Sequence, residues 1–202
     1  MKILFLGPAD SPLVPFLRQG AQVTVTQDRL NPDWVRAEAF HWLLSYGYRH
    51  ILKRDILSLF PSRAINLHIS LLPWNRGADP NFWSFVENTP KGVTLHFIDE
   101  GIDTGDLIAQ RELRFSGEET LASSYAQLKT AIEDLFKENW EAIRSGKRLG
   151  TAQMGTGSMH RAADKEPLLH LLKDGWDTPV QNLIDWRGSL LKPPQGCIEL
   201  KD

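Results

Sequence analysis

The chain has 202 residues, 42% of them hydrophobic, and a formal net charge of −2. That length buries one sizeable core with a small appendage, and the near-neutral charge offers no basic field for a nucleic-acid backbone. A single cysteine, Cys197, excludes a disulfide framework within the chain, and the apolar run of Met1-Lys-Ile-Leu-Phe-Leu-Gly-Pro8 is too short for a signal peptide or a membrane span, so a soluble cytoplasmic protein with no membrane partner is expected.

Lys2 to Leu6 ends at Gly7-Pro8 and reads as the buried first strand of a parallel sheet. The turn after it leads into a helix with Leu13, Phe16 and Leu17 on one stripe. It has neither G-x-G-x-x-G nor a Walker lysine, which favours a plain strand-to-helix turn over a phosphate cradle. Gln22 to Thr26 alternates as a second strand, Asn31-Pro32 opens a short helix to about Phe40, and Trp42 to Ser45 is a third strand. Tyr46-Gly47-Tyr48 follows, at the carboxyl end of a strand, where α/β sheets carry ligands. A helix is predicted over Arg49 to Phe60, with Leu52, Ile56, Leu59 and Phe60 on one stripe and Pro61 as its stop.

Ile65 to Pro73 is the stretch that organises the chain: a strand pattern running into Pro73-Trp74-Asn75-Arg76-Gly77. Side chains alternate along a strand, so Asn66 and His68 share one face while Leu67 and Ile69 point the other way. An amide and an imidazole side by side suit chemistry at a carbonyl, which needs a base and a donor for developing oxygen charge. Asp79-Pro80 caps a helix with Phe82, Phe85 and Val86 inward, and Gly92–Ile98 and Leu107–Leu113 form a strand ribbon around Asp99 to Asp106. That turn holds four acids and two glycines, too costly to bury unpaired. Ser116-Gly-Glu-Glu119 reads as a capping box for a long helix carrying Leu121, Tyr125, Leu128, Ile132, Leu135, Phe136 and Ile143, which ends at Ser145-Gly146.

After Gly150 a loop or weak hairpin is expected, then a short helix over Leu168 to Lys173, another from Thr178-Pro179 to Gly188, and an extended tail over Lys192 to Gly196. Leu190 and Leu191 leave open a partner surface, a homodimer included, or a tail folded onto its own domain. The fold class is therefore α/β, a Rossmann-like, mainly parallel sheet flanked by helices, with one domain over 1–150 and a C-terminal extension over 151–202 packed on it. His41, His50, His96, His160 and His170 have no metal-ligand spacing, so no metal is expected, and His96 reads as structural.

Asn66-x-His68-x-Ser70-Leu-Leu-Pro73, Arg76-Gly77, Gly92-Val-Thr-x-His96 and Asp103-x-Gly105, in that order, resemble the folate-dependent formyltransferase family. The resemblance covers about residues 41–145 and is closest to the nucleotide-sugar N-formyltransferases. It implies the formyltransferase fold, with Asn66, His68 and Asp103 as the catalytic set and 10-formyltetrahydrofolate as donor. The donor would lie between Ser45-Tyr46-Gly47-Tyr48 and Asp99-Glu100-Gly101-Ile102. Roles follow from the family: Asn66 as oxyanion donor, His68 as general base, Asp103 as the carboxylate that orients His68 or shuttles its proton. For the acceptor, Trp74 is a candidate to stack on a base or sugar and Arg76 to bind an anion. The implied reaction is N-formylation of a nucleotide-linked amino sugar. A glycinamide ribonucleotide formyltransferase is the alternative within the family, and a non-catalytic folate- or nucleotide-binding module is the alternative outside it. Only 65 residues precede Asn66, fewer than the family leads one to expect, which implies a trimmed N-terminal half.

Overall fold

The computed structural model describes residues 1–191. The apolar runs become β1 (Lys2–Leu6), β2 (Gln22–Thr26), β3 (Trp42–Ser45) and β4 (Ala64–His68), which pair in parallel in the spatial order β2-β1-β3-β4. β6 (Lys91–Phe97) then runs antiparallel to β4, and β7 (Leu107–Leu113) antiparallel to β6, completing a six-stranded mixed sheet. Two short strands, β5 (Arg76–Gly77) and β8 (Met159–His160), pair in parallel outside that sheet. The register sets Asn66 opposite His96 on one side and beside Ser45 on the other.

Helices cover both faces. On one lie α1 (Leu13–Arg18) and α5 (Leu121–Arg144), whose Leu128, Ile132, Leu135, Phe136 and Ile143 pack with Ile3, Phe5, Leu44, Ile65 and Leu95. Each such side chain, once buried, stabilises the fold by about 1.5–3 kcal/mol. α2 (Pro32–Glu38) and α3 (Arg54–Leu57) cover the other face through Val35, Phe40, Ile56 and Phe60. Asn31 caps α2 by accepting from Asp33 N and Trp34 N, with proline at the first helical turn. α4 (Pro80–Val86) and α6 (Val180–Leu191) form a smaller cluster of Phe82, Trp83, Phe85, Val180 and Leu183. Two 3₁₀ helices, Ala162–Leu171 and Gly175–Asp177, precede α6. No helix among the described residues is long and apolar enough to cross a membrane.

Several expectations need correction. The helix over Arg49 to Phe60 shrinks to the single turn Arg54–Leu57: residues 49–53 are irregular, and Ile51 stands 74% exposed. The apolar spacing of Leu52, Ile56 and Phe60 is met by a loop and a turn together, all three packing on α2's side of the sheet. The cap of α5 is Thr120 rather than Ser116. Thr120 Oγ1 accepts from Ser123 N while Ser123 Oγ accepts from Thr120 N, a capping box with serine in place of glutamate. Asp79 makes no cap hydrogen bond; it sits in the left-handed region and its carboxylate takes Lys165 Nζ at 2.6 Å. The segment after Gly150 is the loop of the two forms expected, with β8 pairing with β5 from far upstream, while the helix expected over Leu168 to Lys173 is 3₁₀ and starts at Ala162. α6 continues past Gly188 to Leu191. The tail Lys192 to Gly196, Cys197 and the side chains of Leu190 and Leu191 lie outside the described residues.

Candidate active site

Strand alternation does put Asn66 and His68 on one face of β4, at the carboxyl end of the parallel strands. The turn after β6 brings Asp103 to them from 37 positions beyond Asn66. Asp103 Oδ1 accepts from Asn66 Nδ2 at 3.0 Å, and Oδ2 lies 3.6 Å from His68 Nδ1. Oδ2 also accepts from the backbone N–H of Gly77 at 2.8 Å. The amide, the imidazole and the carboxylate expected to converge therefore do so.

Hydrogen-bond partners fix the tautomers. His68 Nε2 is 3.0 Å from the carbonyl of Asn75; a carbonyl only accepts, so Nε2 carries the proton and the lone pair of the neutral ring is on Nδ1, facing Asp103. That carbonyl is itself held. Asn75 is fully buried in the left-handed region, its side-chain amide donates to Thr89 Oγ1 at 2.8 Å, and its backbone N–H donates to Ser158 Oγ at 3.0 Å. Burial lowers the pKa of His68, and the neighbouring Asp103 only partly offsets this, so the ring is neutral near pH 7. For Asp103, burial opposes ionisation, but the positive charge that His68 and His96 beside it take up on protonation, and the Gly77 N–H, outweigh burial and hold the carboxyl well below its ordinary range.

A fourth side chain joins the set. His96, read from the sequence as structural, places Nε2 at 3.2 Å from Asn66 Nδ2 and 3.3 Å from Asp103 Oδ1. Its Nδ1 donates to Phe97 O at 2.7 Å, which leaves Nε2 as an acceptor. The Asn66 amide thus gives one hydrogen to Asp103 and the other to His96, and its orientation is determined. The signal for His96 was present in principle: an antiparallel partner for β4 puts it opposite Asn66. Gln153 and Ser158 had no such signal, because nothing local ties the segment after Gly150 to the loop over 73–77.

The two segments expected to border a flat ligand do adjoin. Tyr48 and Leu52 pack in one cluster with Ile98, and Arg54 Nε lies 3.5 Å from Glu100 Oε1. Gly47 is exposed on the first segment, with exposed Ile51 three residues beyond that segment's end at Tyr48, and Gly101 and Ile102 are exposed on the second. Not every residue named for this slot offers its side chain. Ser45 is buried, and the ring of Tyr46 turns into the core, its hydroxyl donating to Glu133 Oε1 at 3.0 Å. Burial, then Glu133, push that phenol's pKa up, so it stays protonated. Tyr48 donates its hydroxyl to Asp28 O at 2.7 Å, and Asp99 Oδ1 accepts from Gly101 N and Thr104 Oγ1, bracing the turn.

On the acceptor side, Trp74 is partly exposed and its carbonyl accepts from Ser70 Oγ. Arg76 has no carboxylate partner among the described residues; its guanidinium is held by Gln153 Oε1 and, at 3.5 Å, Thr156 O. Gly77 is required where it stands: with φ of 87° a side chain is strained, and a Cβ would come within 2.3 Å of His160 O. Among the described residues no group of three His, Cys, Asp or Glu side chains is placed to hold a metal ion.

The family model described as formyl transferase matches residues 11–138. A methionyl-tRNA formyltransferase from Anaeromyxobacter dehalogenans (strain 2CP-C) is 33% identical over 156 residues, which is 75% of this chain and 48% of that protein. The dTDP-4-amino-4,6-dideoxyglucose formyltransferase of Mycobacterium tuberculosis (strain ATCC 25618 / H37Rv) is 34% identical over 109 residues, 54% of this chain and 47% of that protein. The chain thus spans about half the length of the curated relatives it matches. The crystal structure of the formyltransferase PseJ from Anoxybacillus kamchatkensis, in complex with UDP-4,6-dideoxy-4-formamido-L-AltNAc and tetrahydrofolate, superposes with a TM-score of 0.89 at 50% identity, covering 93% of this chain and all of that one.

Proposed function

The chain belongs to the formyl transferase family, and from that premise we propose that it transfers a formyl group from 10-formyltetrahydrofolate to the amine of a nucleotide-linked amino sugar. One observation carries the chemistry: Asn66, His68 and Asp103, drawn from two separate segments, meet with a proton-accepting nitrogen and an ionised carboxylate face to face. The choice of acceptor is supported by the 50% identity to PseJ, whose crystal structure holds a UDP-linked formamido sugar and tetrahydrofolate.

The slot between the loop after β3 and the acidic turn suits a flat donor: exposed Ile51 and Ile102 offer apolar surface, and Gly47, Glu100 and Gly101 offer backbone groups. Bound 10-formyltetrahydrofolate supplies the electrophilic formyl carbon. His68 Nδ1 takes the proton that the attacking amine loses as its nitrogen bonds to the formyl carbon, the adjacent Asp103 carboxylate stabilises the resulting imidazolium, and that proton is returned to the donor nitrogen as its bond to the formyl carbon breaks and tetrahydrofolate leaves. Nε2–H on Asn75 O keeps the ring from turning away while this happens. Asn66 turns one of its amide hydrogens to the formyl oxygen as charge builds there; the bond to His96, the longer of its two, is the one released. Arg76 meets a phosphate of the carrier and Trp74 stacks on its base or sugar. The catalytic domain over 1–150 and the extension over 151–202 work together here, because Ser158 holds the loop that holds His68.

Incubating the protein with 10-formyltetrahydrofolate and a panel of UDP- and dTDP-linked amino sugars, with glycinamide ribonucleotide alongside, tests this reading. Tetrahydrofolate release that depends on an amino sugar is the expected result. Release only with glycinamide ribonucleotide overturns the acceptor, and folate binding without release on any acceptor overturns the enzyme.

A further inference from the structure

Gln153 lies beyond residue 138, where the family match ends, and its side chain is used at both ends. Nε2 donates to Asp103 O at 2.8 Å and to Gly105 O at 2.9 Å, so both amide hydrogens go into the acidic turn. Oε1 accepts from Arg76 Nε at 3.1 Å and Nη2 at 2.7 Å. The guanidinium edge that would meet the two oxygens of a carboxylate here closes on the single oxygen of a neutral amide.

Both ends matter. Asp103 is held in the left-handed region, φ 53°, a conformation that a residue with a side chain keeps only when its surroundings impose it. Gln153 clasps the carbonyl of that residue and of Gly105, on either side of the backbone that aims the carboxylate at His68. At the other end, a glutamate would fix Arg76 equally well and cancel its charge. A glutamine fixes it and leaves the charge whole. Arg76 and Asp103 are already neighbours, since the N–H that follows Arg76, on Gly77, is bonded to the Asp103 carboxylate.

We propose that Gln153 is a positioning and specificity residue that couples Arg76, as the cation for a phosphate of the acceptor, to the turn that carries the Asp103 carboxylate. The proposal rests on the nucleotide-sugar reading for its Arg76 half and stands apart from it for its Asp103 half. Through the neutral bridge, a phosphate that engages Arg76 tightens the same side chain that sets the distance from Asp103 to His68. An amine without a phosphate gains no such tightening, and the site thereby prefers an anionic acceptor.

Arg76→Met, which touches one half alone, is set beside two Gln153 variants of the full chain, with circular dichroism and thermal unfolding to establish that each is folded. Gln153→Glu keeps an acceptor for Arg76 and cancels its charge, and it also loses the two donors to the acidic turn. Gln153→Met keeps the length of the side chain and loses both sets of bonds. In Gln153→Glu the KM for the amino-sugar nucleotide is expected to rise about 10-fold or more while that for 10-formyltetrahydrofolate holds, and calorimetric binding of UDP or dTDP to the free protein is expected to weaken by a similar factor, the size of one lost charge-assisted contact. Arg76→Met should produce the same loss of nucleotide affinity, and adding Gln153→Glu to it should weaken that affinity no further. In Gln153→Met, kcat is expected to fall about 10- to 100-fold, as for a misplaced catalytic group. The imidazole titration of His68, followed by NMR without ligands, should move toward acid as the carboxylate drifts from it. A merely structural glutamine would leave that titration and the split between KM and kcat where they were. The coupling is overturned if either the nucleotide affinity of Gln153→Glu or the His68 titration of Gln153→Met keeps its wild-type value. A wild-type protein that binds neither nucleotide and formylates no amino-sugar nucleotide overturns the functional reading and the Arg76 half with it, while the NMR titration still decides the hold on Asp103.

Discussion

The acidic turn over 99–106 and the loop over 46–53, the two proposed walls of the donor site, are held by the chain very differently. The turn is tied almost residue by residue: Asp99 braces Gly101 and Thr104, Asn66 and Gly77 take the Asp103 carboxylate, and Gln153 takes the carbonyls of Asp103 and Gly105. The loop has its anchors below it, in the buried ring of Tyr46 and the hydroxyl of Tyr48 on Asp28 O, and one exposed ion pair from Arg54 to Glu100. Its tip, Ile51, is bare. The division follows from what each must do. A carboxylate that steers a proton has to be placed within about half an ångström, whereas a wall that lies against a flat ring can adjust on contact.

Breaking the base should have the largest effect. His68→Ala is expected to fold with an unchanged far-ultraviolet spectrum and to lose about 10³-fold in kcat, within the range for a positioned acid–base group. Turnover like that of the wild type would remove His68 from the mechanism. Next come two glycines that test the tied and untied sides directly. A Cβ at Gly105 would sit 1.9 Å from Phe97 O, so Gly105→Ala must move backbone; it is expected to cost about 2–3 kcal/mol in urea unfolding and to lower activity with it. At Gly47 no atom lies within 4 Å of the added carbon and only φ, +71°, is unfavourable, so Gly47→Ala is expected to cost about 1 kcal/mol. Equal losses would erase the distinction between the two segments.

Acidity probes the tied side more gently. Burial depresses the pKa of His68 below 6.5, so its stabilising share is complete above that value. Below it the unfolded chain binds the proton more readily than the folded one, and stability falls as pH drops through the folded pKa. The acid limb of kcat/KM should therefore lie below 6.5, on the same side as the loss of stability; a limb above 6.5 would contradict a neutral buried base. The smallest effect is expected at Arg54→Ala. Its partner pair is largely exposed, so stability should change by no more than about 0.5 kcal/mol, with a few-fold rise in the KM for the donor as the measurable consequence.

What the sequence made legible was whatever is carried by local pattern. Alternation placed Asn66 and His68 on one face, leucine runs gave the strands, and the stripe through Leu128, Ile132 and Phe136 gave α5. Amphipathic spacing misled at Arg49 to Phe60, because Leu52, Ile56 and Phe60 reach the core equally well from an irregular loop. Ser116 looked like a cap because glutamate stands at the right offset, but Thr120 and Ser123 satisfy each other one turn later. The finer parts of the site were out of reach for a different reason. The tautomer of His68 depends on Asn75 O, Asn75 depends on Ser158, and Asp103 depends on Gln153. Each link is a tertiary hydrogen bond with no periodicity to announce it.

The bond from Gln153 to Asp103 closes over fifty positions of chain. As the protein leaves the ribosome, the motif residues emerge well ahead of it, and domains begin to fold as they emerge. A nascent chain that has reached only the end of α5 therefore already displays the signature amide, imidazole and carboxylate without the latch that trues them. On the proposed role of Gln153, competence to react waits for a glutamine that bears no charge and follows the motif residues in the chain.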